Sequence, residues 1–574
     1  MKYLQILFIL FIANISFAQN LPNNLLPSEM KAYNDLIYNR PQSFSDFTNP
    51  PYGPVRTMAE WEPQEGLIIA WITYQPILRQ IVDYAQDEGF VYIVCSDSNS
   101  VKTYLTSGSV PLVNLKFVIA PFNSIWCRDY GPWMIYKNNY DTLQIADWIY
   151  NRPRPNDDAV PTAFANYYNS TIFTATQAPF DLVNTGGNFM VDGNGTGFAS
   201  KLILNENPSK TPAQIDTIMK KYLGLSRYIK METLPYDEIH HIDMHIKLLD
   251  EETLLVGQYP NGVADGPQIE ANLQYVLNNF QTCYGRPYKV IRIPMPPSAS
   301  GQYPPNSNYF TYTNSVFVNK TVIVPIYGLS QDTTALRIYR EALPGYRIVG
   351  INCSSMISAL GAIHCITKEV GIKETIFISH PYLRNTTNTT TPYEVKAFIQ
   401  TKSGVNNAKL YWRTDTTQAY TQVSMTPATA DTFKASIPAQ PVGKYVYYYI
   451  SAASNSGKTI TKPLTAPAGY TKFYVDNPSA IGNNGVISSF KLEQNRPNPF
   501  NPVTKISFSI PQSSHVILKV YDITGREVAK LINDFRVAGE HSLEFNGAFL
   551  SSGVYFYRLE TNGLSAIKKM MLIK

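Results

Sequence analysis

Apolar runs and helical spacings take turns along this chain. Residues 67–71 form a short apolar run, the apolar positions Leu78, Ile81, Val82 and Ala85 fall on one side of a helix over 77–87, and 91–94 form a second run. A short apolar run between turn signals reads as a buried strand, and i, i+3, i+4 spacing reads as a helix. Strand, helix, strand is therefore expected, with a further strand at 115–120. The rhythm is expected to return as strand 201–204, helix 212–223 and strand 254–256. It returns again as helix 268–280, strand 289–293 and a hairpin over 316–325. Helix 333–342 and strand 346–350 then lead into Ala359-Leu-Gly-Ala-Ile-His-Cys-Ile-Thr367. Pattern recurs here rather than residue identity, and it predicts an α/β core.

Past residue 381 the helical spacing stops. After the polar run Asn385-Thr-Thr-Asn-Thr-Thr-Thr391, residues 394–400, 408–413, 432–437 and 444–451 alternate apolar and polar positions. That predicts an immunoglobulin-like β-sandwich over 392–476, with Trp412 and Tyr447 in its core. A Ser/Asn/Gly linker, 477–489, leads to a last unit, 490–574, with strands expected at 504–510, 515–521 and 543–545 in a small β-sandwich. At the other end, Lys2, the apolar run 6–12 and the small-residue exit Ser16-Phe-Ala18 predict a secretory signal peptide over 1–18. Residues 19–54 are rich in Asn, Pro and Ser and read as a loosely ordered leader or propeptide, with removal after Arg40 as one outcome.

Composition narrows the class. The 574 residues are 44% hydrophobic and 16% charged, enough for roughly two to four ordinary cores. A net charge of +5 is close to neutral for this length, which argues against nucleic acid as a partner. The five cysteines, 95, 127, 283, 353 and 365, are odd in number and lack zinc-type spacing, so a full disulfide framework is excluded.

Candidate chemistry sits at the ends of the expected strands. Cys365 lies beside small residues Gly361 and Ala362, which let a ligand approach the backbone, and next to His364, which could hold the thiol partly ionised. A buried, inert cysteine is the competing reading. Asp129 stands between Arg128 and Tyr130 ahead of Gly131-Pro132, as a turn residue or an acid at a site. Thr185-Gly-Gly-Asn188 and Asp192-Gly-Asn-Gly195 are either flexible turns or backbone shaped around a ligand. In His241-Ile-Asp243, a strand would send imidazole and carboxylate to one face. The same alternation would send His240 away, and no ligand spacing accompanies His240 and His245, so no metal site is expected.

These runs carry a resemblance. Trp126-Cys-Arg-Asp-Tyr-Gly-Pro132, Thr185-Gly-Gly-Asn188, His241-Ile-Asp243, Tyr312-Thr-Asn314 before Val322-Ile-Val-Pro325, Val349-Gly-Ile351 and Gly361-Ala-Ile-His-Cys365 stand in the order seen in the agmatine deiminase and Porphyromonas-type peptidylarginine deiminase family. The resemblance implies a pentein, or guanidino-modifying, fold over residues 55–381: a pseudo-fivefold α/β propeller around a polar channel. It implies Cys365 rather than Cys353 as nucleophile and His241 as acid and base. Asp129 and Asp243 would hold the guanidinium, and Asn314, with Asn308 as rival, would support the thiolate. Trp126 and Ile239 would line the substrate, Trp126 by cation–π contact. Gly361-Ala-Ile-His departs from the Gly-Gly-Asn-Ile-His type run of agmatine deiminases, which weakens agmatine as substrate.

Asn151-Arg-Pro-Arg-Pro155 bears on specificity. Held extended by prolines, Arg152 and Arg154 would point to one side and could clamp a carboxylate, as the pair they resemble does for C-terminal arginine in peptides. A solvated basic loop is the plain alternative. The implied activity is hydrolysis of peptidyl arginine to citrulline and ammonia, without a required cofactor and with room for a structural calcium or sodium ion. An agmatine deiminase and a non-catalytic arginine-peptide-binding surface protein are the rivals. Finally, Leu492-Glu-Gln-Asn-Arg-Pro-Asn-Pro-Phe-Asn-Pro502, Val520-Tyr-Asp-Ile-Thr-Gly-Arg526, Gly553-Val-Tyr-Phe-Tyr557 and the terminal Lys568-Lys-Met-Met-Leu-Ile-Lys574 resemble the sorting domain of type IX secretion. That implies passage through the periplasm and outer membrane by the type IX machinery to the medium or cell surface.

Overall fold

The computed structural model describes residues 21–39, 49–476, 490–511, 514–536, 539–561 and 563–573. The expected signal peptide at 1–18, the cut after Arg40 and the linker at 477–489 lie outside the described residues. Among the described residues, no helix is long and apolar enough to cross a membrane.

Residues 55–371 build five sheets that repeat one plan. A short strand pairs antiparallel with a longer one, a helix follows, and a third strand returns parallel to the second. In chain order the long strands are Gln64–Ala70, Thr142–Tyr150, Thr196–Ser200, Thr253–Gln258 and Thr321–Ile326. Their short partners are Lys368–Gly371, Trp133–Lys137, Met190–Val191, Ile246–Leu248 and Val316–Val318. The first sheet thus takes its short strand from the far end of the region, which joins the two ends of the chain segment. Each returning strand is parallel, for example Ile68 opposite Tyr92 and Val256 opposite Arg292, as a helical crossover requires.

Local sequence explains these elements. Helix Pro212–Leu223 starts with Thr211 capping Gln214 N and Gln214 reaching back, has proline in its first turn, and ends at Gly224. It buries Ile215, Ile218, Met219, Tyr222 and Leu223, the Ile, Met and Leu side chains each contributing about 1.5–3 kcal/mol when fully buried. Gly224 has φ +72°, and a Cβ there would lie 1.8 Å from the Val55 carbonyl oxygen. Any other residue would have to push the Val55 backbone away.

Several expectations need correction. Residues 201–204 are not a strand: Leu202–Asn205 is a short helix, and the strand is Thr196–Ser200 just before it. Gly197 and Ala199 conceal that strand from a propensity reading, yet a Cβ on Gly197 would lie 2.5 Å from Leu225. The leader is not loose over 21–38, because Pro27–Glu29 is a 3₁₀ turn and Met30–Tyr38 a helix that places Ile37 against Ile149 and Val183. The first unit, expected to run to 381, ends earlier in the pairing pattern, since strand Ile376–Ser379 pairs with Tyr393–Thr401 of the next unit.

That second unit has two sheets sharing a core of Val395, Ile399, Leu410, Val446, Tyr448 and Ile450. Trp412 packs on this core while half-buried. The expected core residue Tyr447 faces the other way, against Tyr470, and its neighbour Tyr448 is the buried one. In the last unit two sheets enclose Ile506, Phe508, Val516, Leu518, Tyr557 and Leu559.

Candidate active site

Each of the five short strands is preceded by a tight segment, and the predicted site residues sit in these segments. Asp129 lies in Cys127–Tyr130, Gly187 in Gly186–Asn188, Asp243 in Ile242–Met244 and Cys365 in His364–Ile366, while Asn314 stands two residues before Val316. A repeated plan therefore brings five distant parts of the chain to one place.

Hydrogen bonds and close polar contacts join them. Gly187 N–H donates to Asp129 Oδ1 at 2.8 Å, and His241 Nδ1 lies 3.6 Å from the same oxygen. Asn314 Oδ1 accepts from His364 N at 2.9 Å, which fixes the amide so that its Nδ2 faces Cys365 Sγ at 3.2 Å. Cys365 Sγ is 3.8 Å from Asp243 Oδ2. Asn308 is not needed to explain the thiol's partner.

Two glycines make the fit. A Cβ on Gly187 would stand 2.4 Å from His241 Nδ1 and 2.9 Å from Asp129 Oδ1. A Cβ on Gly361 would stand 2.4 Å from the Trp126 ring and 3.1 Å from Cys365 Cβ. Trp126 is fully buried and forms a wall beside the thiol.

Burial and unmet hydrogen bonds indicate what the site is suited to hold. Asp129, Asp243, His241 and Cys365 are each at most 2% exposed. Among the described residues, Asp129 Oδ2, Asp243 Oδ1 and His241 Nδ1 have no hydrogen-bond partner. Leaving such atoms buried is costly, and a planar cation with paired N–H groups would satisfy both carboxylates at once. Burial, Asp243 and Asp129 push the Cys365 thiol well above its ordinary value. Burial lowers the His241 pKa against the opposing pull of Asp129 and Asp243, while the charge of Arg152 lowers it further.

Several readings change. His241 and Asp243 share the site, but not through strand alternation: His241 caps a 3₁₀ turn that contains Asp243. His364 does not ionise the thiol, since Nδ1 meets Asp243 Oδ2 at 2.7 Å and Nε2 meets Glu60 Oε2 at 3.1 Å. Glu60 also pairs with Lys247 at 2.9 Å, so a Glu60–His364–Asp243 chain orients the carboxylate next to sulfur. Glu60 carries no motif signal. Ile239 is buried, with its amide donating to Asp237 Oδ1.

Arg152 and Arg154 are buried rather than solvated, and the segment is turned rather than extended, with Arg154 N–H donating to the Arg152 carbonyl at 2.8 Å. Both reach the leader. Arg152 Nε donates to Asn23 O at 3.0 Å, and Arg154 meets both carboxylate oxygens of Glu29 at 2.8 and 3.1 Å. A separate cleft of about 970 Å³ lies where the first and second units meet, lined by Glu251, Glu252 and Lys462 among others, and contains none of the predicted site residues.

Known proteins share this arrangement of sequence. Residues 56–370 match the model of the Porphyromonas-type peptidyl-arginine deiminase family, and residues 496–574 match that of the secretion system C-terminal sorting domain. The chain is 26% identical over 339 residues to a Legionella pneumophila (strain Paris) protein named "Putative agmatine deiminase", covering 54% of this chain and 94% of that one. Among solved structures, the agmatine deiminase of Enterococcus faecalis is 20% identical, with 56% of this chain and 99% of that chain covered and a TM-score of 0.49. The C. jejuni agmatine deiminase is 21% identical, with 56% and 97% covered and a TM-score of 0.48.

Proposed function

Because the chain belongs to the Porphyromonas-type peptidyl-arginine deiminase family, we propose that it hydrolyses the guanidinium of peptidyl arginine, preferentially at a C-terminus, to citrulline and ammonia. The observation that carries this reading is the pair of buried, unpartnered carboxylate oxygens, Asp129 Oδ2 and Asp243 Oδ1, beside the thiol of Cys365. The C-terminal sorting domain makes the chain a type IX secretion substrate, destined for the medium or the cell surface. The five repeated sheets support the reading of a fivefold propeller around the site.

The chemistry follows from the charges. Asp129 and Asp243 take paired N–H groups of the guanidinium, fixing its plane, while Trp126 covers one face. The arriving cation offsets the two acids that disfavour the thiolate, so the Cys365 proton can pass to neutral His241. Sulfur then bonds to the guanidinium carbon. His241 returns the proton to one nitrogen, the carbon–nitrogen bond breaks, and ammonia leaves a covalent thiouronium. Water, deprotonated by His241, adds to that carbon, and the carbon–sulfur bond breaks to give the ureido product. Asn314 Nδ2 supports the sulfur throughout. No cofactor enters the scheme, and a structural calcium or sodium ion would lie outside it.

Arg152 and Arg154 set the choice among guanidino compounds. Agmatine, named for several relatives, ends in an ammonium that two arginines repel, whereas a peptide's terminal carboxylate would take the place Glu29 has on Arg154. Ammonia release from a peptide ending in arginine, the same peptide with arginine internal, free arginine and agmatine tests the proposal. The C-terminal peptide should be turned over fastest. Binding of that peptide without ammonia would replace an enzyme by an arginine-peptide-binding protein, and faster release from agmatine would reverse the specificity.

A further inference from the structure

The leader occupies the groups that should read a peptide substrate. Trp126 Nε1 donates to Leu21 O at 2.9 Å, Arg154 Nη2 to Pro22 O at 3.0 Å and Arg152 Nε to Asn23 O at 3.0 Å, while Asn23 N–H donates to Ala359 O at 2.9 Å. These are main-chain contacts, the kind any peptide can make. A side-chain carboxylate, that of Glu29, sits bidentate on Arg154, where a C-terminal carboxylate would sit.

Three features separate this segment from an ordinary structural strap. Residues 21–39 contain no arginine, so the segment fills the mouth without offering a group to modify. Asn23 is 1% exposed, yet among the described residues neither polar atom of its amide has a partner, so its docking carries a desolvation cost. Helix Met30–Tyr38 buries Ile37 alone, a slender anchor for nine residues. Tyr33 and Leu36 pack partly buried beside Ile37, and Tyr33 Oη donates to Glu206 Oε1 at 3.2 Å, so the segment is held by this small cluster together with its contacts to Trp126, Arg152 and Arg154.

We propose that residues 21–38 are a pseudosubstrate pro-segment, which keeps the enzyme latent until cleavage or displacement frees Arg152, Arg154 and Trp126. This rests on the reading of Arg152 and Arg154 as the carboxylate subsite and of Trp126 as a wall of the guanidinium pocket. It places the segment in competition with peptides, so its removal lowers KM for peptide more than it changes kcat.

The test uses the full exported chain with Glu29→Lys, which replaces attraction to Arg154 by repulsion, and Ile37→Asp, which unseats the helix from Ile149 and Val183. The first readout needs no turnover: the rate at which 2-chloroacetamidine, a small guanidinium mimic, alkylates Cys365, mapped by mass spectrometry beside Cys283 as internal control. Both variants should be alkylated at Cys365 about tenfold faster than the unaltered chain, with Cys283 unchanged. The second readout is ammonia release from a peptide ending in arginine, where KM should fall by a similar factor. Equal alkylation in all three proteins overturns the pro-segment. Faster alkylation without ammonia from any guanidino compound supports the pro-segment and overturns only the deiminase reading.

Discussion

At the floor of the site Asp129 and Asp243 each keep a buried oxygen without a partner, whereas at the mouth Arg152 and Arg154 are engaged by the chain's own Asn23 and Glu29. Both regions are buried, and both are charged. The floor is built from five segments whose positions follow from five sheets, so its groups cannot move apart to relieve their unmet bonds. The mouth is built from one turn and an N-terminal segment with a slender anchor, so its contacts can be exchanged. The floor should therefore recognise the guanidinium whatever it is attached to, and the mouth should recognise what it is attached to.

The comparison breaks first at the sulfur. Cys365→Ala should abolish ammonia release from peptides, free arginine and agmatine alike, by about 10⁴-fold or more in kcat, and Asp243→Asn should act on every substrate in the same direction. Loss on one substrate alone would mean the floor is not shared. Gly187→Ala tests the rigidity argument. Its Cβ would stand 2.4 Å from His241 Nδ1, so His241 or Asp129 must shift, and kcat should fall about 10²-fold on every substrate. An unchanged kcat would show a floor that adapts.

The parts legible in the sequence are those where local and overall demands agree. Helix 212–223, with its Thr211 cap and Gly224 stop, has the predicted bounds, and the hairpin Val316–Ile326 turns at Asn319 with φ +47°. Cys365, Asp129 and Asn314 were visible because ordered motifs surround them. The unit with strands Trp133–Lys137 and Thr142–Tyr150 was not seen, since polar Gln144 and Asp147 interrupt its apolar pattern, although Asp147 is buried. His241 and Asp243 do lie near each other, but through a 3₁₀ turn rather than the expected strand, since both conformations can bring residues i and i+2 together. Glu60 and the docked leader left no trace, because each acts through partners hundreds or more than a hundred residues away, His364 for one and Arg152 and Arg154 for the other.

Replacing the mouth arginines should separate the two regions. Arg152→Ala with Arg154→Ala should raise KM for peptides ending in arginine by about ten- to a hundredfold, the value of charge-assisted hydrogen bonds to a carboxylate. Agmatine's KM should not rise and should fall by a few-fold, since the variant removes the two charges that repel its ammonium. Because the double variant also loosens the leader, an internal-arginine peptide is the control that isolates the carboxylate. A uniform rise for all substrates would place the arginines in the floor rather than the mouth.

The smallest effect is a shift in pH dependence, and it reports how the floor meets its substrate. Burial, Asp243 and Asp129 raise the thiol pKa, so in the free enzyme the thiol is protonated at neutral pH and kcat/KM should climb toward alkaline pH. A bound guanidinium cancels the two carboxylate charges, which lowers the thiol pKa in the complex, so the rise in kcat should fall at lower pH than the rise in kcat/KM. Asp129→Asn removes one of the charges that raise the free thiol, so the kcat/KM profile of that weakened variant should move toward acid. Coincident profiles for kcat and kcat/KM would mean that the cation does not help to ionise the sulfur that attacks it.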